Sequence, residues 1–153
     1  MQNFLNSSFT IKKQNKFYLP WGSGKMSSVD TRDIASIAAK ILISDSKNYK
    51  NKIYSITGPE ALSCNDIAKI FSKVLGFDVG YVNVSEEEAF NEMKKMDLSD
   101  ILIEYILELS SIIKQDSASY ISSSVEEVTG KKPITFKTFV NDYKDVFKQN
   151  IVL

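Results

Sequence analysis

Val29-Asp30-Thr31-Arg32-Asp33-Ile34-Ala35-Ser36-Ile37-Ala38-Ala39-Lys40-Ile41-Leu42-Ile43 is the stretch on which the fold turns. Asp30 stands where a short acceptor side chain can take hydrogen bonds from the first free amides of a helix. Asp33 adds negative charge to the first turn, where the helix dipole favours it. The body that follows, Ile34 to Ile43, is apolar almost all round. A helix without a polar face is covered on more than one side, so this segment demands packing partners.

Upstream, Phe4, Leu5, Phe9 and Ile11 fall near helical spacing and predict an opening helix over residues 2–14. Phe17 to Leu19 read as extended, Pro20 to Gly24 as a turn, and Met26 to Val29 as a second short extended piece. Downstream, Lys47 to Lys52 is a polar loop and Ile53 to Thr57 a strand closed by Gly58-Pro59. Ser63 caps a helix with Ile67, Ala68, Ile70, Phe71, Val74 and Leu75 on one stripe, stopped at Gly76. Tyr81 to Val84 is a short strand, and Ser85 with Glu88 forms a capping box for a helix holding Phe90, Met93 and Met96. Ile101 to Ile113 is a strongly apolar helix, and Ser122 to Val128 one or two helical turns ending at Gly130. Thr135 caps a last helix with Phe136, Phe139, Val140, Tyr143 and Phe147 on one face. Strands separated by helices argue for parallel pairing in a helix-rich α/β fold. Three or four short strands make a poor parallel sheet, which normally has several members and both faces covered.

The chain has 153 residues, enough for one domain with a real core, and 43% of them are apolar. Nineteen basic and nineteen acidic residues cancel and are scattered, so no long-range field draws in nucleic acid or an anionic membrane. The longest apolar runs, Ile101 to Ile103 among them, are far too short to cross a bilayer, and no signal-peptide pattern opens the chain. Cys64 is the only cysteine, so no internal disulfide forms, and the cytoplasm is the default location. Histidine is absent, which removes the commonest general base and the commonest metal ligand at neutral pH.

The chemistry-bearing motifs are thin. None of the six glycines forms G-x-G-x-x-G or G-x-x-G-x-x-G, so the phosphate-cradling turn of a dinucleotide site is missing. Gly22-Ser23-Gly24-Lys25 could hold an anion, but no apolar strand runs directly into it and no helix starts at Lys25, and a plain surface turn is the better reading. No tyrosine has a lysine four residues later, and with no His and one Cys a metal cluster is not expected. Glu86-Glu87-Glu88 fit a helix start, where the dipole stabilises them. Cys64 has no base beside it in sequence and reads as a small packed side chain. Trp21, in a turn after Pro20, is either a core plug or a pocket wall. Arg32 lies at the electrostatically wrong end of its helix for a cation, so it pairs with Asp30 or Asp33, or reaches a ligand.

Taken in order, these segments resemble the C-terminal half of NmrA-like proteins, an atypical short-chain dehydrogenase/reductase group. Met1-Gln2-Asn3-Phe4-Leu5 is similar to the family's segment around a Phe-Met-x-Asn motif. Phe17-Tyr18-Leu19-Pro20 through Gly24-Lys25-Met26-Ser27 resembles its loop into Val29-Asp30-Thr31-Arg32-Asp33-Ile34-Ala35, the most specific match. Lys52 to Ser63, Gly80 to Ser85 and Val128 to Pro133 resemble later landmarks, while Asp97 stands where relatives often carry Gly.

The resemblance implies the C-terminal portion of an NAD(P)-binding Rossmann-type fold, lacking the N-terminal dinucleotide-binding half and forming one domain over residues 1–153. It implies a substrate-side role in an NAD(P)-dependent oxidoreductase or sugar-epimerase-like protein, not catalytic alone. Asn3, Phe4, Trp21 and Arg32 are then the substrate contacts, and this chain by itself holds no cofactor. Its expected partners are a small-molecule substrate and either the other half or further copies of the chain, as a dimer. The alternative is a non-catalytic, NAD(P)-sensing regulatory or protein-interaction module, with the apolar faces of Ile34 to Ile43 and Ile101 to Ile113 meeting a partner. A third is a truncated product or fragment stable only as an oligomer.

Overall fold

A computed structural model describes residues 1–44 and 46–148. A 3-10 turn, Gln2–Ser7, leads into helix α1, Ser8–Gln14, so the expected opening helix forms in two pitches. Strand β1, Lys16–Leu19, and the two-residue β2, Lys25–Met26, follow. Helix α2 spans Thr31–Ile43, and the backbone amide of Arg32 donates to the Asp30 carboxylate at 2.9 Å, so Asp30 is the N-cap. Strand β3, Leu62–Ser63, runs into α3, Cys64–Leu75, opened by a capping box between Ser63 and Asp66 and closed by Gly76 in the left-handed region. Then come β4, Gly80–Asn83; α4, Glu86–Lys95, with the expected Ser85–Glu88 box; and α5, Asp100–Lys114. Three short helices end the described chain: α6, Ser124–Thr129; α7, Phe136–Asp142; and α8, Lys144–Phe147. The single last helix expected from the sequence is broken at Tyr143.

Parallel pairing holds for β1 and β4, with Phe17 opposite Tyr81 and Leu19 opposite Asn83. The β2–β3 pair is antiparallel, Lys25 opposite Ser63. Two two-stranded sheets and one isolated parallel bridge, between Met26 and Ala118, are the whole β content among the described residues. They cannot bury a core by themselves. The core is instead aromatic and helical. Phe17, Phe71, Phe136, Phe139 and Phe147 are fully buried, together with Ile11, Ile67 and Val140. Phe71 meets Phe136 at 5.5 Å and Phe147 at 4.9 Å, both edge to face, the arrangement ring quadrupoles favour. This cluster joins α1, β1, α3, α7 and α8 around β4.

Two expectations are corrected. No strand forms over Ile53 to Thr57, because no neighbour among the described residues offers it a ladder. The Ser122 region lies beside it and bonds through side chains: Ser122 N donates to Thr57 Oγ1 at 2.9 Å, and Ser122 Oγ donates to the Ser55 carbonyl. Ile53 is 98% exposed. The second correction concerns α2, which among the described residues is covered on one side only. Ile37 packs with Val125 and Val128 of α6, while Leu42 and Ile43 are each 83% exposed.

Helix α5 is likewise apolar beyond its buried side. Ile103, Ser110 and Ile113 are buried, and Ile101, Leu102, Tyr105, Leu109 and Ile112 form an adjoining exposed stripe. No helix among the described residues is long and apolar enough to cross a membrane.

Candidate functional site

The Val29-to-Ala35 motif resolves into a fastener between distant segments. Two nitrogens of the Arg32 guanidinium, Nε and one Nη, donate to the two oxygens of Asp30 at 2.9 Å each, and the other Nη donates to Asp142 at 2.7 Å. The two-point contact with Asp30 is the geometry that arginine makes best. Asp33 accepts from the Ile134 amide at 2.8 Å, and Glu60 accepts from the Phe136 amide, an otherwise free donor at the start of α7. Gln2 Oε1 accepts from the Thr31 amide at 2.9 Å. The opening turn, the start of α2 and both ends of α7 are thereby held in one network.

Its electrostatics are lopsided. Burial pushes the Asp30 carboxyl up, but hydrogen bonds from Arg32 and Gln2 and the Arg32 charge outweigh it and hold the group down at about 2. Hydrogen bonds to Asp30 and Asp142 hold the Arg32 guanidinium further toward its charged form than usual. Asp33 goes the other way: burial raises it, and the Ile134 amide only partly offsets that. Asp30 and Arg32 therefore stay charged, and neither is set up to exchange a proton near neutrality.

The second cluster lies at the Trp21 turn. The Trp21 ring meets Phe4 edge to face at 6.0 Å, and Phe4 continues into Phe17 and Phe136. Trp21 Nε1 donates to Ser110 Oγ on α5 at 3.3 Å. The turn itself is clamped. Gly22 N donates to Asn83 Oδ1 at 2.8 Å, Gly24 N to the Trp21 carbonyl at 3.1 Å, and Lys25 N to Asp116 Oδ1 at 2.9 Å. A Cβ on Gly24 would stand 1.9 Å from the Ile113 carbonyl oxygen, so only glycine lets the turn seat against the end of α5.

Three of the four amides in Gly22-Ser23-Gly24-Lys25 are thus committed within the protein. The segment is the plain turn expected, and it does not fit the pyrophosphate of a dinucleotide, which needs free amides converging at a helix start. Cys64 is fully buried, and burial pushes its thiol up to about 12, the behaviour of a packed side chain and not of a nucleophile. Tyr81, beside it, is pushed up to about 12, by burial first and by Cys64 second, and its hydroxyl lies 2.9 Å from the Leu19 carbonyl.

Of the four residues singled out by sequence, Phe4 and Trp21 touch, Asn3 is exposed next to Phe4, and Arg32 is tied into the Asp30–Asp142 fastener. Phe4 is 4% exposed, and most of its ring faces other rings, so it packs the floor beneath Trp21. Trp21 is half-buried, which makes it plug and wall at once. Asp97 adopts a φ of 61°, in the left-handed region, and Asp is among the few residues other than glycine that tolerate it. Ser110, Asn83 and Asp142 were missed. Only Ser110 carried a signal, as a polar residue interrupting the apolar α5 pattern.

A helix-rich α/β chain with two parallel strands, an aromatic floor and a clamped turn defines the class, and the comparisons supply the family. The model of the NmrA-like family matches residues 1–144, and the chain belongs to that family. It is 33% identical over 147 residues to the NAD(P)H azoreductase of Xenophilus azovorans, covering 96% of this chain and 51% of that protein. It is 27% identical to the agroclavine dehydrogenase of Claviceps fusiformis, over 90% and 47% of the two chains. Among solved structures, an NADPH-dependent quinone oxidoreductase from Escherichia coli superposes with a TM-score of 0.82 at 22% identity, over 94% of this chain and 51% of that one. The triphenylmethane reductase of Citrobacter sp. complexed with NADP(H) gives 0.79 at 23%, over 93% and 49%. The chain spans about half the length of the relatives it matches.

Proposed function

We propose that this chain is the substrate-side portion of an NAD(P)-dependent oxidoreductase. In that role Asn3 and Trp21 wall the substrate cleft, with Phe4 packed as the floor beneath Trp21 and Arg32 fixing the wall to α2 and α7. Its residues bind, orient and desolvate the substrate, and hydride transfer is the bound cofactor's chemistry. The dinucleotide is held by a portion that packs on α2 and alongside Ile53 to Thr57.

One observation carries this reading: Ile34 near the start of α2, Leu42 and Ile43 at its end, and Ile53 beyond it leave large apolar side chains in water. Burying Leu42, Ile43 and Ile53 would yield about 1.5–3 kcal/mol each, and the partly covered Ile34 less, so these side chains favour a partner surface. Matches that each take up about half of a reductase-type relative supply the kind of partner.

Titration of the 153-residue chain with NADPH by calorimetry tests it. No binding up to about millimolar NADPH is the expected result, since phosphate-cradling amides are lacking. Micromolar binding would overturn the division of labour.

The protein-interaction alternative is favoured by the exposed stripe on α5, Ile101 to Ile112. Titration with aromatic carbonyl compounds, followed by light scattering, separates the two. Binding of them supports the substrate-side role whatever the oligomeric state, and a defined oligomer indifferent to them supports the interaction module.

A further inference from the structure

Ser110 occupies a position where the α5 pattern calls for hydrocarbon, and it is 3% exposed. A serine buried in a helix can satisfy its hydroxyl by donating one turn back, and Ser110 does so to the Ile106 carbonyl at 2.9 Å. That leaves the oxygen's acceptor side turned to Trp21 Nε1 at 3.3 Å. At this length the bond is weak, so its effect is on orientation more than on stability.

Two further constraints act on the same indole. Phe4 meets it at an interplanar angle of 85°, and the Gly24 contact with the Ile113 carbonyl fixes the backbone three residues on. The ring is held at its N–H edge, by a neighbouring ring and through its backbone, yet keeps a minor part of its surface exposed. A large flat ring immobilised before binding loses little entropy when it takes a ligand, and what it takes best is another flat ring in offset stacking.

The geometry points to Ser110 as the positioning residue that orients the Trp21 indole for stacking against a planar aromatic substrate. The inference rests on the reading of Trp21 as a cleft wall and adds to it the residue that sets the wall and the shape of substrate selected.

Trp21 is the only tryptophan, so its fluorescence reports on this contact alone. The test titrates the 153-residue chain and its Ser110→Ala and Ser110→Thr variants with 1,4-naphthoquinone, using cyclohexane-1,4-dione as a non-aromatic control. Calorimetry reads affinity and Trp21 anisotropy reads ring mobility. The unsubstituted chain is expected to bind the naphthoquinone and not the dione. Ser110→Ala should weaken binding about twofold, less than the loss of a whole neutral hydrogen bond to the ligand would, and lower the Trp21 anisotropy. Ser110→Thr, which keeps the hydroxyl, should restore both.

Trp21→Phe keeps a ring but has no N–H, and should weaken binding to a similar extent, which covers the case in which Ser110→Ala fails to fold. Unchanged naphthoquinone affinity in Ser110→Ala or Trp21→Phe would overturn the inference while leaving the cleft reading intact. If the unsubstituted chain bound no naphthoquinone, the cleft reading itself would fall, and the inference with it.

Discussion

The aromatic centre and the α2 flank draw on equally apolar sequence and end in opposite environments. Phe71 and Phe136 are 0% exposed, whereas Leu42 and Ile43 are 83% exposed. The centre is closed because α1, α3, α7 and α8 converge on it from different directions and their rings interlock. Among the described residues the flank has the short α6 and the segment carrying Tyr49, Tyr54 and Ile56 against one side, and its small cluster holds three buried residues, Ile37, Val125 and Val128. The difference teaches that apolarity fixes what a helix needs, and the elements available to it decide what it gets.

Substitutions at the two regions should break or sharpen that contrast. The largest effect is expected at Phe71→Ala, which removes a ring in contact with Phe4, Phe17, Phe136 and Phe147. A loss of about 3–5 kcal/mol, read by urea denaturation, is the range for a fully buried Phe, and a loss under about 1 kcal/mol would show the centre to be loosely packed.

Next is Asp30→Ala, which removes an N-cap and a buried carboxylate paired with Arg32. The lowered carboxyl corresponds to about 2–2.5 kcal/mol, and the cap hydrogen bond from Arg32 is one of the causes that lower it, so about 2–2.5 kcal/mol is expected at neutral pH. Asp30→Asn should keep most of the cap and lose most of the charge contribution. The sign of the pH dependence follows. The folded state holds Asp30 at about 2, below its ordinary value of 3.8, so its contribution is complete above pH ~4 and drains away as pH falls toward 2. In Asp30→Asn that part of the acid transition should flatten, and an unaltered acid limb would show that Asp30 is not the group responsible.

Gly24→Ala is expected to be smaller but definite, about 1–3 kcal/mol, because the added methyl meets the backbone of α5, not a yielding side chain. The smallest effect belongs to Leu42→Ser on the open flank. Stability should stay within about 0.5 kcal/mol, while binding of an apolar dye such as ANS drops. A loss above about 1.5 kcal/mol would mean that α2 is already covered in solution.

Much of the local structure was legible in the residues. Asp30, Ser63, Ser85 and Thr135 announced helix starts, and all four cap them. Caps depend on neighbours two or three positions away, which a sequence displays directly. The strand expected at Ile53 to Thr57 was not so fixed, since a strand exists only through a partner elsewhere in the chain or beyond it. Arg32 shows the same limit at the candidate site. Its tie to Asp30 could be anticipated, and its reach to Asp142, 110 positions on, could not.

By itself, then, the sequence determined the helices, their caps, the family and the want of a dinucleotide turn, because each is written in short spacings of a few residues. Only the tertiary structure decided that the V-D-x-R-D segment fastens α2 to α7, that Trp21 is seated by Ser110, and that one face of α2 stays bare. Those outcomes depend on which distant surfaces meet, and contact between residues far apart in the chain leaves no local pattern to read.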